Sequence, residues 1–133
     1  MFENLSEHLT TFANDIDFEE PKPGQSGTYE SELRDPSGTA IGTVEGSYRI
    51  VTRRESDGVL LACINEKIAL TDGVVHVEAW ARFENLISGE WLYCPAVGVS
   101  GRYAGRTGFR QWRPVELGKT AEAKLVFFTT QLS

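Results

Sequence analysis

Few residues in this chain have the chemistry to do more than pack. Its two histidines are His8, in the N-terminal segment, and His76, on the outward register of a strand. No Ser–His–Asp or Cys–His set can therefore be assembled. Cys63 and Cys94 stand in separate strand-like segments with no metal-ligand spacing, so neither a metal site nor a disulfide is expected. No glycine-rich phosphate loop opens a helix. Glu66 is the one carboxylate on a strongly inward row; general acid or base work is open to it, but an ion pair with Arg110 or Lys124 is the commoner fate. What remains is Tyr29, Tyr48, Phe83 and Trp112, a set of aromatic rings with a few hydroxyl and indole donors. Such a set binds a large apolar molecule. A reaction hastened there is one that needs a particular conformation more than a proton transfer.

The stretch Gly98–Arg113, GVSGRYAGRTGFRQWR, shows how one of these residues is positioned. Gly98, Gly101, Gly105 and Gly108 fall every three or four residues. That density marks a tight corner or a close backbone approach. Beyond it Arg110, Trp112 and Pro114 share one face of a strand. Two readings stay open: the corner helps to build a site around Trp112, or it is only a corner.

The 133 residues make one domain, 1–133, large enough for a sizeable core. There are 19 Asp and Glu against 13 Lys and Arg. An acidic balance excludes nucleic acid as a partner, because phosphates require a basic surface. No apolar run approaches a membrane span, and MFENLSEHLTTF lacks the basic-then-apolar order of an export signal. A cytoplasmic protein with no membrane partner is expected.

Period-two alternation runs through nearly the whole chain. The segment 1–12 reads as an N-terminal piece, with a short helical turn within Met1–Thr11 capped by Ser6 and a weak first strand over Thr10–Phe18. Residues 19–27, EEPKPGQSG, hold Pro21, Pro23 and Gly24, and are loop. Strands then follow over Thr28–Arg34, Ala40–Arg53, Val59–Leu70, Val74–Phe83, Glu90–Val97, Phe109–Leu117 and Lys119–Thr129. Turn compositions such as Asp35-Pro36-Ser37-Gly38 and Thr71-Asp72-Gly73 join them as hairpins. The fold class is all-β: an antiparallel up-and-down barrel of about eight strands, with a capping loop and a central apolar pocket.

Parity selects the interior. It gives Tyr29, Ser31 and Leu33; Gly42, Val44, Gly46, Tyr48 and Ile50; Leu60, Ala62, Ile64, Glu66 and Ile68; Val75, Val77, Ala79, Ala81 and Phe83; and Ala121, Ala123, Leu125 and Phe127. For Trp91–Val97 the test is ambiguous. So many inward glycines and alanines leave volume unfilled, which favours a cavity over a solid core. Outward Val59, Leu61, Cys63, Val126 and Phe128 leave apolar surface that suits a homodimer interface.

Three stretches carry a family resemblance: GTYESELRDPSGTAIGT (27–43), TDGVVHVEAWARF (71–83) and WLYCPAVGVSGRYAGRTGFRQWR (91–113), with the tail KTAEAKL (119–125). They resemble the spirotetronate cyclases of polyketide antibiotic pathways, within the allene oxide cyclase and dirigent-type barrels. The resemblance covers most of the chain from Gly27 onward. It implies an eight-stranded barrel, often dimeric, whose first long loop caps the mouth. It also implies a cofactor-independent intramolecular [4+2] (Diels–Alder-type) cycloaddition of a linear tetronate polyketide. Family pocket positions fall on Tyr29, Ile64, Phe83, Cys94, Trp112 and Pro114; adding Tyr48, Glu66 and Arg110 completes the expected guest site. Trp112, similar to the family's floor tryptophan, and Tyr29 are the expected catalytic residues, and no metal or cofactor is expected. Ile64 and Cys94 stand where relatives carry tyrosines, and Pro114 replaces a longer apolar residue, implying a roomier pocket. Related barrels of polyether pathways form oxygen-containing or cyclohexane rings from tetronates. Two rivals are a lipocalin-like carrier and an oxide-cyclase-type enzyme that uses Glu66.

Overall fold

The structure, a computed structural model, describes residues 2–128. Eight strands are hydrogen-bonded in sequence order and the last pairs with the first, closing an antiparallel barrel. They are β1 (Phe2–Asn14), β2 (Ser26–Arg34), β3 (Ala40–Arg53), β4 (Leu60–Leu70), β5 (Gly73–Arg82), β6 (Leu92–Gly101), β7 (Thr107–Glu116) and β8 (Thr120–Phe127). A single 3₁₀ turn, Phe83–Leu86, follows β5. Short polar turns join most neighbours, so the meander read from the turn residues is the topology found. Thr129, the expected end of the last strand, and Met1 lie outside the described residues.

The inward rows selected by parity are the core. Val44, Ile50, Ala62, Ile68, Val75, Val77, Ala123 and Leu125 are all buried. In β6 the ambiguity resolves to Leu92, Cys94 and Ala96 inside, with Tyr93 and Val97 exposed. Both thiols are free: Cys94 is buried and Cys63 half-buried on the outer face. Exposed His76 points away from the lumen.

The N-terminal segment corrects the sequence reading. No helical turn forms over the described part of Met1–Thr11; residues 2–14 are β1, and the expected strand Thr10–Phe18 stops at Asn14. The alternation of Leu5, Glu7 and Leu9 is strand-like, but two things obscure it. Glu7 puts a charge on the inward row, and register shifts at Phe2/Leu5 and Leu9/Thr11 break the parity on either side. At such a shift one strand carries an extra residue, so alternation fails although the strand continues.

The glycine-rich stretch is a corner, and it faces away from the site. Gly98 and Gly101 lie in β6 and Gly108 in β7, and the corner proper, Arg102–Arg106, sits at the end of the barrel opposite the cavity. Its work is to seat Tyr103, which is buried and closes that end. The Tyr103 ring stacks on Phe127 at 5.1 Å and packs on Phe2 at 6.2 Å. Its hydroxyl donates to Asp72 at 2.6 Å. A Cβ on Gly98 would lie 1.7 Å from the Tyr103 carbonyl oxygen, so only glycine permits that approach. Burial and the bond to Asp72 push the Tyr103 phenol up to about 12.

Candidate functional site

The open end holds a cavity of about 340 Å³, within the range of about 300–1,000 Å³ common for small-molecule sites. Tyr29, Tyr48, Ile64, Glu66, Phe83, Cys94, Arg110, Trp112 and Pro114 all line it. They come from β2, β3, β4, β6 and β7 and the 3₁₀ turn, brought together by closure of the sheet. Along β7 the inward residues run Arg110, Trp112, Pro114 toward the mouth. Arg110 therefore lies deepest of the three, and Trp112 forms wall one row above it.

Two reciprocal cross-strand pairs set the aromatic wall. Tyr29 faces Gly46 and Tyr48 faces Gly27. Each ring lies over the glycine opposite: Cβ atoms built there would come within 2.3 Å of the Tyr29 ring and 2.6 Å of the Tyr48 ring. The glycines let both rings lie flat against the sheet, 6.2 Å apart, so the barrel gains an aromatic lining without filling its lumen. Gly46→Ala should push the Tyr29 ring inward and break its hydroxyl contact. A loss of about 1–3 kcal/mol, the usual cost of overpacking, is expected in urea unfolding, and a smaller guest space should follow.

Below this wall lies a charged cluster. Arg110 donates from Nε to Glu66 Oε1 at 2.8 Å and from Nη2 to Glu66 Oε2 at 3.2 Å and Glu7 Oε1 at 2.5 Å. The Tyr29 hydroxyl donates to Glu66 Oε2. The Arg110, Glu66 and Glu7 side chains are each at most 5% exposed. Of the two partners open to Glu66, Arg110 is the one it takes; Lys124 sits on the outside, over the Trp91 ring. Burial raises the pKa of Glu7, and Arg110 only partly offsets it. Burial would lower that of Arg110, but Glu66 and Glu7 outweigh this and hold the guanidinium charged. Burial and the negative Glu66 push the Tyr29 phenol well up. Burial alone takes Tyr48 to about 12, and burial with Glu66 takes the Cys94 thiol to about 11. All three are neutral at pH 7, so the wall is uncharged.

These bonds separate the two expected catalytic residues. The Tyr29 hydroxyl already spends its one hydrogen-bond donor on Glu66. The Trp112 indole N–H makes no hydrogen bond among the described residues. No buried side-chain polar atom there lacks a partner, so this nitrogen reaches open space. The Tyr48 hydroxyl, which also lines the cavity, likewise makes no hydrogen bond among the described residues.

Pro21, Pro23 and Gly24 do not line the cavity. The loop folds back onto β3: Gly24 N–H donates to the Ile50 carbonyl at 2.8 Å, and Ile50 N–H to that of Gln25 at 2.9 Å. Gln25 Oε1 further accepts from the Lys22 N–H at 2.9 Å. Phe18, just before the loop, does line the cavity. Ile16 packs on Ile50 and Phe83, and half-exposed Phe18 lies 6.3 Å from the Phe83 ring over the opening. Sequence reasoning also missed Glu7, Leu86, Ile87 and Leu117 as lining residues. The Leu5–Glu7–Leu9 alternation could have found Glu7; the others sit in turns, where no period applies.

Residues 6–127 match the family of allene oxide cyclase barrel-like domains. The chain belongs to that family. Among solved structures it is similar to AbnU, an exo-specific intermolecular Diels–Alderase, at 34% identity and a TM-score of 0.85, over 92% of this chain and 90% of that one. It is also similar, at 30% identity and a TM-score of 0.85, to the Diels–Alderase AbmU from Streptomyces koyangensis. A nonspecific heme-binding cyclase that catalyses a [4+2] cycloaddition during neoabyssomicin biosynthesis matches at 30% and 0.84. The match covers 92% of this chain in both cases but only 59% and 60% of those two longer chains. The resemblance to spirotetronate cyclases read from residues 27–43, 71–83 and 91–113 therefore holds. A pyocyanin demethylase at 17% identity and a TM-score of 0.70 shares the fold. No curated protein matches the chain.

Proposed function

We propose that this barrel folds a linear tetronate polyketide inside its cavity and brings about an intramolecular [4+2] cycloaddition, with no cofactor taking part. The observation that carries this reading is the cavity itself. It is mostly apolar and closed at one end, its Tyr29, Tyr48 and Cys94 groups are neutral, and it is lined by Trp112, whose indole N–H makes no hydrogen bond among the described residues. Diene and dienophile tethered in one chain react once they are held face to face. Orientation of that kind can contribute about 7–11 kcal/mol at its limit. Tyr29, Tyr48, Ile64 and Phe83 supply the shape. A hydrogen bond from Trp112 to the carbonyl conjugated with the dienophile makes that alkene more electron-poor, adding about 1–3 kcal/mol.

The test is incubation with a linear tetronate polyketide. The expected product is an isomer of unchanged mass, formed faster than in buffer. Saturable binding without conversion would instead make the protein a carrier. The likeness to AbnU, an intermolecular enzyme, supports a second reading in which diene and dienophile arrive as separate molecules; supplying them separately distinguishes the two. Trp112→Phe keeps the bulk and removes the donor. The rate should fall by about 5- to 10-fold, the equivalent of one hydrogen bond of ~1 kcal/mol; an unchanged rate would leave Trp112 a role in shape alone.

A further inference from the structure

The charged cluster at the inner end of the cavity does not balance. Two carboxylates, Glu7 and Glu66, converge on the single guanidinium of Arg110, and all three are almost wholly buried. The donors are unequally divided. Glu66 receives Nε and Nη2 of Arg110 and the Tyr29 hydroxyl, so both its oxygens are engaged as a carboxylate's should be. Glu7 receives Nη2 on Oε1 and the Ser31 hydroxyl, two donors against the three on Glu66. Like charges in one dry site cannot both persist at low cost, and the proton settles on the less supported member. Every group facing the cluster is then accounted for: Glu7 from β1, Tyr29 and Ser31 from β2, Glu66 from β4, Cys94 from β6 and Arg110 from β7.

We propose that Glu7 is a neutral carboxylic acid at neutral pH and donates its proton, as a hydrogen bond, to an oxygen of the guest at the deep end of the cavity. This deepens the cycloaddition reading and rests on it for the identity of the guest. Glu7 lines the cavity, and Arg110 occupies only one of its oxygens. The other can carry the proton toward the guest. A tetronate or enone meets this requirement, since each ends in a polar oxygen on an otherwise apolar chain. The cavity would then hold its guest at two heights, with Glu7 below and the Trp112 indole above. An ionised Glu7 would instead set a net negative charge against the anionic enolate of an acyl tetronate, so binding should weaken as pH rises.

Infrared difference spectra of the whole protein, titrated from about pH 5 to about pH 9, the span buried glutamates reach, test the proton directly and need no substrate. At neutral pH a protonated-carboxyl stretching band should be present in the wild type and absent from Glu7→Gln; in Glu66→Gln, where Glu7 no longer shares Arg110 with a like charge, the band should disappear at a lower pH than in the wild type. A wild type without that band, a band kept in Glu7→Gln, or a transition unmoved by Glu66→Gln overturns the proposal. Binding of 3-acetyltetronic acid, followed by tryptophan fluorescence, tests the contact. Its Kd should rise about tenfold per pH unit above the Glu7 transition in the wild type and stay flat in Glu7→Gln. The same pH dependence in both proteins refutes the contact. If these hold but no cycloadduct forms, the acid stands and the cycloaddition reading fails.

Discussion

Replacing Arg110 by alanine is expected to remove about 3–5 kcal/mol of stability, the usual cost of stripping one partner from a buried ion pair. Glu66 would lose the guanidinium and keep only the Tyr29 hydroxyl, in an interior with little water to replace what was lost. The protein should adjust by protonating Glu66, so the deficit should shrink as pH falls. Urea midpoints at constant m-value read the loss. A change below about 1 kcal/mol, the level of an exposed pair, would mean that solvent reaches the cluster. The companion variant Arg110→Met with Glu7→Leu and Glu66→Leu should be neutral or more stable by about 1–4 kcal/mol, as when a buried charged triad becomes apolar. Taken together, the two results would show that the cluster is kept for something other than stability.

The largest expected effect on turnover comes from Trp112→Ala. Trp112 sits between Arg110 and Pro114 on β7 and forms one wall of the guest space. Without the indole a folded guest gains room to slip, and misplacement of about 1 Å can cost about 100-fold in rate. A fall of that size, against the modest loss for Trp112→Phe, would show that confinement outweighs the hydrogen bond. Equal losses in both variants would reverse that ranking. Single-turnover kinetics is the measurement to use, because it separates the chemical step from release.

The barrel was legible because strands buried on one face write their orientation every second residue. From Val44 through Val77 to Leu125 the inward rows need nothing but alternation. The site was legible in the same way wherever it sits on regular strand, as at Tyr29, Ile64 and Trp112. Legibility failed where alternation fails. Register shifts around Glu7 hid the first strand and with it the second carboxylate of the cluster. The residues over the mouth are hard to read for a related reason. Two prolines and Gly24 mark irregular backbone, but which loop residue turns over the mouth depends on packing against Phe83 from a distant part of the chain. The glycines of Gly98–Gly108 announced close packing correctly; only the partner, Tyr103 rather than Trp112, required the fold.

Tyr103 has one more consequence. A tube stoppered at one end has a single door, so whatever enters past Phe18 must back out the same way. Ring closure would turn a supple chain into a stiff body that has to leave through the entrance its pliant precursor threaded. Egress would then set the pace, with a rapid first turnover, a slower steady state, and product lingering as its own competitor.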